Sequence, residues 1–362
     1  MYPAHTRYYL GFNLVPGLGP ARLARLLAHC GSPERAWHAD AFDLAAAGVD
    51  ARTSAALIAT RERVDLDREL ERAERLGVTL LSVEDAGYPR LLREIPGAPP
   101  LLYVRGALTP ADEWAIAVVG TRSPTTYGRE AARHLAGDLA RAGITIVSGL
   151  ALGVDAIAHA AALEAGGRTV AVLACGVDRP YPERHRELAE RIVAQGALVS
   201  DYPLGALPAA ANFPPRNRII SGLSRGTLVV EAGAHSGALI TVEFALEQGR
   251  DVLAVPGSIF SRQSEGCLQL LRNGAALVAS ADDALAALDL TAANAQCEAR
   301  IELPADPVEA ALLAELGYEP RHIDELGRAV ALPAPTVAAA LALLELKGLA
   351  RQAAPMQYVR AR

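Results

Sequence analysis

Nine short runs rich in Val, Ile, Leu and Ala recur between residues 78 and 278, most of them separated by Ala-, Glu- and Arg-rich segments of helical length. They are Val78–Val83, Leu101–Val104, Ala115–Val119, Ile144–Val147, Thr169–Ala174, Ala197–Ser200, Thr227–Val230, Asp251–Val255 and Ala276–Val278. A strand that alternates apolar and polar residues is covered on one face; a strand apolar throughout must be covered on both. Such strands alternating with helices predict an α/β fold, a parallel sheet between two helical layers. In sheets of that kind ligands collect beyond the carboxyl ends of the strands. The residues just after each strand are therefore where function is to be sought.

Three further segments flank or follow this region. Residues 1–76 read as a helical domain, and residues 77–289 carry the sheet. Residues 290–305 are small and polar and read as a linker; residues 306–362 read as a winged helix. In the first segment, Leu14-Val15-Pro16-Gly17-Leu18-Gly19-Pro20-Ala21-Arg22 predicts a tight turn between two helices, like a helix-hairpin-helix. Pro20 removes a backbone donor there, so close packing is favoured over phosphate binding. In the last segment, helices are predicted near Pro307–Leu316, His322–Val330 and Thr336–Leu346, followed by a hairpin at Ala350–Gln352 and Gln357–Arg360. The third helix carries no cation before Lys347, which argues against duplex reading and for packing against protein.

Four strand ends combine glycine with Ser, Arg or Asn. The most distinctive is Asn212-Phe213-Pro214-Pro215-Arg216-Asn217-Arg218-Ile219-Ile220-Ser221-Gly222-Leu223-Ser224. No acidic residue occurs from Tyr202 through Val230, although the formal net charge of the 362-residue chain is −6. A helix can start at the prolines, which places Arg216, Asn217 and Arg218 in its first turn. Free N–H groups and the helix dipole favour an anion there, and the guanidinium fork matches phosphate oxygens. The others are Gly120-Thr121-Arg122, Ser148-Gly149 with Gly153, and Ser236-Gly237. On one rim of a parallel sheet these would converge on a phosphodiester.

Composition narrows the classes. A protein that coats duplex DNA is usually basic, so any nucleic-acid surface must be local. Lys347 is the sole lysine, so arginine supplies the charge. Four dispersed cysteines, Cys30, Cys175, Cys267 and Cys297, suit free thiols in a reducing compartment. No apolar run reaches the ~18 residues of a membrane span and no signal peptide opens the chain, so a cytoplasmic protein is expected. Neither Gly-x-Gly-x-x-Gly nor a Gly-Lys-Ser/Thr phosphate loop is present. Asp155 and His159, four apart on a helix, could share a metal, but a cap and a packed histidine explain them with fewer demands. Glu231 could be a base, or could hold Arg216 or Arg218 in place; the second role is preferred.

Together these segments resemble the DNA-processing protein A family (DprA, also called Smf). Gly120-Thr121-Arg122, Ser148-Gly149-Leu150-Ala151 with Gly153, Asp155 and His159, and Phe213-Pro214 with Arg216–Ser224 carry the match. Glu231-Ala232, Ser236–Thr241 and Val255-Pro256-Gly257-Ser258 extend it. The resemblance implies an extended Rossmann-like domain, flanked by a SAM-like helical module and a winged helix. It implies a non-catalytic protein, without cofactor or metal, that binds single-stranded DNA and loads the RecA recombinase during natural transformation. It implies a homodimer through the Rossmann-like domain, with single-strand-binding protein as a further partner. By motif, Gly120, Thr121, Arg122, Ser148, Gly149, Phe213, Arg216, Asn217, Arg218, Ser236 and Gly237 should line the DNA groove. The rival reading is a nucleotide phosphoribohydrolase-like enzyme with Glu231 as acid/base, although the Pro-Gly-Gly-x-Gly-Thr loop of those enzymes is missing.

Overall fold

The computed structural model describes residues 2–290, 307–317, 320–346, 350–354 and 356–360. The expected linker at 290–305 falls almost wholly outside them. The chain divides into two compact units, one ending at Ala293 and the other beginning at Asn294.

The first unit holds a nine-stranded sheet: β1 (Val78–Ser82), β2 (Leu101–Gly106), β3 (Ala115–Val119), β4 (Thr145–Ser148), β5 (Thr169–Val172), β6 (Ala197–Ser200), β7 (Gly226–Val229), β8 (Asp251–Ala254) and β9 (Ala276–Leu277). Their spatial order is β1-β2-β6-β5-β4-β3-β7-β8-β9. From β6 to β9 every pairing is parallel; β2 alone runs the other way, antiparallel to both β1 and β6. An all-parallel sheet was the expectation. The β1–β2 connection, residues 83–100, forms only the single turn Arg90–Arg93; Pro89 before it and Pro96, Pro99 and Pro100 after it leave no crossover helix, and the chain returns antiparallel.

The β3 strand shows why both faces had to be apolar. Ala115, Ala117 and Val119 point into one core with Val147, Val172 and Ile220, while Ile116 and Val118 point into another with Leu135, Leu139 and Leu228. Seven α-helices among the described residues precede β3: α1 (Ala4–Asn13), α2 (Pro20–Cys30), α3 (Pro33–His38), α4 (Ala41–Ala46), α5 (Ala51–Arg63), α6 (Leu66–Arg75) and α7 (Arg90–Arg93). Helices α8 (Thr126–Arg141), α9 (Val154–Glu164), α10 (Arg186–Gln195), α11 (Phe213–Gly222), α12 (Ala238–Glu247) and α13 (Glu265–Arg272) link successive strands from β3 to β9. Strands β3 to β6 progress to one side and β7 to β9 to the other, so the winding direction changes between β3 and β7. A crevice opens at such a switch point.

The N-terminal helices, from Ala4–Asn13 to Leu66–Arg75, do not form a core of their own. Tyr9, Phe12, Leu26, Trp37 and Leu57 share one cluster with Leu80, Tyr103 and Leu198 of the sheet. Tyr103 donates to Asn13, and Asn13 donates to the Asp201 carbonyl. The Gly17 turn is closed on itself: Arg22 donates to the Gly17 carbonyl at 2.8 Å and pairs with Asp50 at 3.2 Å.

The second unit is a winged helix. Helices Pro307–Glu315, Ile323–Ala329 and Ala334–Leu346 bury Leu312, Leu326, Val337, Leu341 and Leu344 together. A three-stranded sheet completes it, in the order Arg321–His322, Gln357–Arg360, Ala350–Ala354. The short first strand is an addition to the expected hairpin. No single helix among the described residues is long and apolar enough to cross a membrane.

Candidate nucleic-acid interface

The crevice at the switch point has a volume of about 790 Å³. The loop after β3 (Gly120, Thr121, Arg122), the start of α11 (Phe213, Pro214, Arg216, Asn217) and the turn before α12 (Ser236, Gly237) all line it. Eight of the eleven sequence-predicted residues are thus brought together from segments as much as 117 positions apart. Asp155 is the only carboxylate among its described lining residues, and it is turned inward.

Glycine makes the convergence possible at two places. Gly153 has φ of +80°, and a Cβ there would lie 2.3 Å from the Thr121 carbonyl oxygen. A Cβ on Gly120 would lie 2.6 Å from Val154. The loops after β3 and β4 can therefore touch backbone to backbone. The Thr121 N–H donates to the Glu231 carbonyl at 2.7 Å, and Val154 N–H donates to the Thr121 carbonyl.

Glu231 does not hold Arg216 or Arg218, contrary to expectation. It is 2 % exposed, and its carboxylate accepts from the Thr125 N–H at 2.8 Å and the Thr125 hydroxyl at 2.6 Å. Thr125 in turn caps α8. The side chain and main chain of Glu231 thus fix both ends of the Gly120–Thr125 loop, and with it Arg122. The Glu231 carboxylate is thus committed to this loop and is not among the residues that line the crevice.

Arg122 is exposed, has no ion pair among the described residues, and lies 5.6 Å from the centre of the Phe213 ring. Tyr181, from the loop after β5, meets the same ring edge-on at 6.0 Å. Tyr181 is about half exposed and lines the crevice. It was missed in the sequence; an aromatic between two prolines just after a buried strand was the available signal. The exposed result is an arginine and two rings, a surface suited to a charged backbone with stackable bases.

Four predicted residues are placed differently. Ser148 is fully buried and donates to the Val118 carbonyl at 2.7 Å, so it does not reach the groove. Gly149 lies beneath it as well. Its N–H was expected to meet an external anion, but donates to Asp155 at 3.0 Å, so the α9 terminus already holds an anion of the protein's own. Arg216 lines the crevice but is 4 % exposed. It donates to the carbonyls of Gly149 and Val172, and its guanidinium lies where a Gly149 Cβ would be. Arg218 lies outside the crevice: it pairs with Asp201 at 2.8 Å and donates to the Gly97 carbonyl. Residues two apart on a helix point about 200° apart, so Arg216 and Arg218 cannot share one face.

Electrostatics follow burial. Burial raises the Asp155 carboxyl above its ordinary range, and Arg216 partly offsets this. Burial lowers the Arg216 guanidinium, with Asp155 opposing. His159, four residues beyond Asp155, hydrogen-bonds Thr169 at 2.6 Å and is held down at about 3 by burial, then by His185 and Arg216. Asp155 accepts two loop N–H groups, from Gly149 and Ala151. These are the loop-capping and packing roles expected of the pair.

Residues 79–289 match the model of the DNA recombination-mediator protein A family. The chain belongs to that family. Residues 297–354 match the DprA winged helix domain. Protein Smf of Synechocystis is 37 % identical, over 99 % of this chain and 100 % of the relative. The crystal structure of DNA processing protein A from Streptococcus pneumoniae is 36 % identical with a TM-score of 0.69, covering 79 % of this chain and 98 % of that one. A structure of DNA processing protein A from Helicobacter pylori, described for its single-stranded DNA binding mode, is 29 % identical with a TM-score of 0.53. It covers 58 % of this chain and 95 % of that one.

Proposed function

We propose that this chain binds single-stranded DNA in the switch-point crevice of residues 77–289, without catalysis, and delivers the strand to a RecA-type recombinase. The observation that carries the reading is Arg122, exposed and without a counter-charge, beside the Phe213 and Tyr181 rings in a crevice whose one described carboxylate is engaged by backbone N–H groups. Backbone-directed charge with aromatic faces binds flexible strands in a salt-dependent, sequence-tolerant way. The Helicobacter relative's single-stranded DNA binding and the family's recombination-mediator description support the same assignment. The confined Glu231 supports a binding rather than a hydrolytic role. A homodimer through this domain and contact with single-strand-binding protein belong to the same proposal.

The test is affinity for a poly-dT oligonucleotide and for duplex DNA of equal length, each at two salt concentrations. Preference for the single strand, weakening steeply with salt, is expected; equal affinity for both would overturn the reading. Recombinase delivery is tested separately, by RecA-dependent strand exchange on strands coated with single-strand-binding protein. No stimulation there would remove that half of the proposal.

A further inference from the structure

Phe260 is the most exposed large apolar side chain among the described residues, at 91 %, and Ile259 beside it is 75 % exposed. Single exposed apolar residues need no explanation, but an adjacent pair on one loop does. The loop follows β8, the parallel neighbour of β7, so it emerges on the crevice's edge of the sheet. Two contacts hold its ends there. Gly266 N–H donates to the Ala232 carbonyl at 2.8 Å, and Tyr127 donates to the Pro256 carbonyl at 2.6 Å. Ile259 shares a depression of about 340 Å³ with Ala234 and Leu239, which flank the crevice residues Ser236 and Gly237. Arg262, two residues after Phe260, is exposed and has no ion pair among the described residues. The loop therefore repeats the crevice's combination of an aromatic ring and an unneutralised guanidinium.

A strand leaving the crevice has two ways along this edge. Past Tyr181 and Pro208 lies a depression of about 590 Å³ that carries Asp178, Glu183 and Glu190 together with Arg105, Arg179 and Arg186. Past Gly237 lies the depression beneath Ile259, whose one described carboxylate is Glu265. Formal charges balance in both linings, with Arg272 opposite Glu265 in the second; what marks the second direction is the exposed Ile259–Phe260 pair with Arg262 beside it.

We propose that a single strand held in the crevice continues over Ser236 and Gly237 onto the loop after β8, where Phe260 stacks on a base and Arg262 meets the backbone. This rests on the single-strand reading above and extends its footprint.

The experiment compares oligo-dT of about 6 and about 20 nucleotides on the full chain. Phe260→Ala and Arg262→Ala should each weaken the long oligonucleotide about tenfold and leave the short one unchanged. Phe260→Trp should keep wild-type affinity, and Phe260→Leu should behave like the alanine variant. If both alanine variants bind both lengths like wild type while Arg122→Ala weakens both, the extension is wrong and the crevice stands. If Phe260→Leu keeps full affinity, stacking is excluded. If Phe260→Ala changes the molecular mass by light scattering without changing affinity, the pair belongs to an interface between copies, and the extension is overturned. If Arg122→Ala also binds both lengths normally, the crevice reading itself has failed.

Discussion

Arg122 and Arg216 approach the same Phe213 ring, at 5.6 and 5.9 Å, yet Arg122 lies in solvent and Arg216 is 4 % exposed. They mark two layers. The rim holds Arg122, Phe213, Tyr181, Ser236 and Gly237. The floor holds Arg216, Asp155, His159, Ser148 and Glu231, all buried and all hydrogen-bonded to protein. The same residue types serve adhesion in one layer and construction in the other. What separates them is whether the side chain is buried against protein partners, although the Nε2 of His159 has none among the described residues. A floor built from charges is expensive to desolvate, and is stable only while each charge keeps its partners.

The floor should therefore fail in stability and the rim in binding. Arg216→Ala removes donors from two carbonyls and the offsetting charge from buried Asp155. A loss of about 3 kcal/mol is expected, read as a lower urea midpoint with unchanged slope. Lysine should not rescue it, because a point charge cannot reproduce the fork. A wild-type midpoint in Arg216→Ala would erase the distinction between the layers.

Arg122→Ala should do the reverse. Stability should stay within about 0.5 kcal/mol of wild type, as for a surface change without partners. Single-strand affinity should fall by about 1.5–3 kcal/mol, and the salt slope should drop by about one phosphate. If the midpoint falls and affinity does not, Arg122 belongs to the floor.

His159 sharpens the comparison through pH. Its folded value is about 3, below the ordinary 6.5, so between those values the unfolded chain binds a proton that the folded chain refuses. Its contribution is intact above 6.5 and is lost as pH falls, reaching about 1.4 kcal/mol by pH 5.5. The raised Asp155 carboxyl acts in the opposite sense at acid pH, since the folded state holds that proton longer. The measurement is therefore a difference: urea midpoints of wild type and His159→Asn from pH 7.5 to 5. The variant should lose the slope just below 6.5. Parallel curves would mean that His159 is not held neutral.

The strands were legible because burial on both faces leaves an unbroken apolar run, and all nine occur within a residue or two of their predicted bounds. The convergence of Arg122, Phe213 and Gly237 was legible because parallel strands put every carboxyl end on one edge. Local sequence could not say which polar residue faces outward. Gly149 looked like an anion-binding turn, and it is one, but the anion is Asp155 from the same helix. Glu231 had Thr125 as its partner, 106 positions away, and no spacing rule reaches that far. Tyr181 was hidden for the opposite reason: its role depends on Phe213 being beside it.

Arg218 belongs to neither layer, and this gives the smallest effect. Its sequence neighbourhood grouped it with Arg216, but the helix turns it toward Asp201 and the Gly97 carbonyl. Both side chains of that pair are 16 % exposed, so solvent screens them only in part. Arg218→Ala should cost about 1 kcal/mol of stability, below the value for a fully buried pair. Asp201→Asn should cost a similar amount, and the double variant less than the sum, because each single change already breaks the shared contact. Single-strand affinity should match wild type in all three at moderate salt. A clear loss of affinity in Arg218→Ala alone, with Asp201→Asn unaffected, would mean that the strand leaves the crevice around α11 and displaces the Asp201 contact. The rim would then have to be redrawn to include that face of the helix.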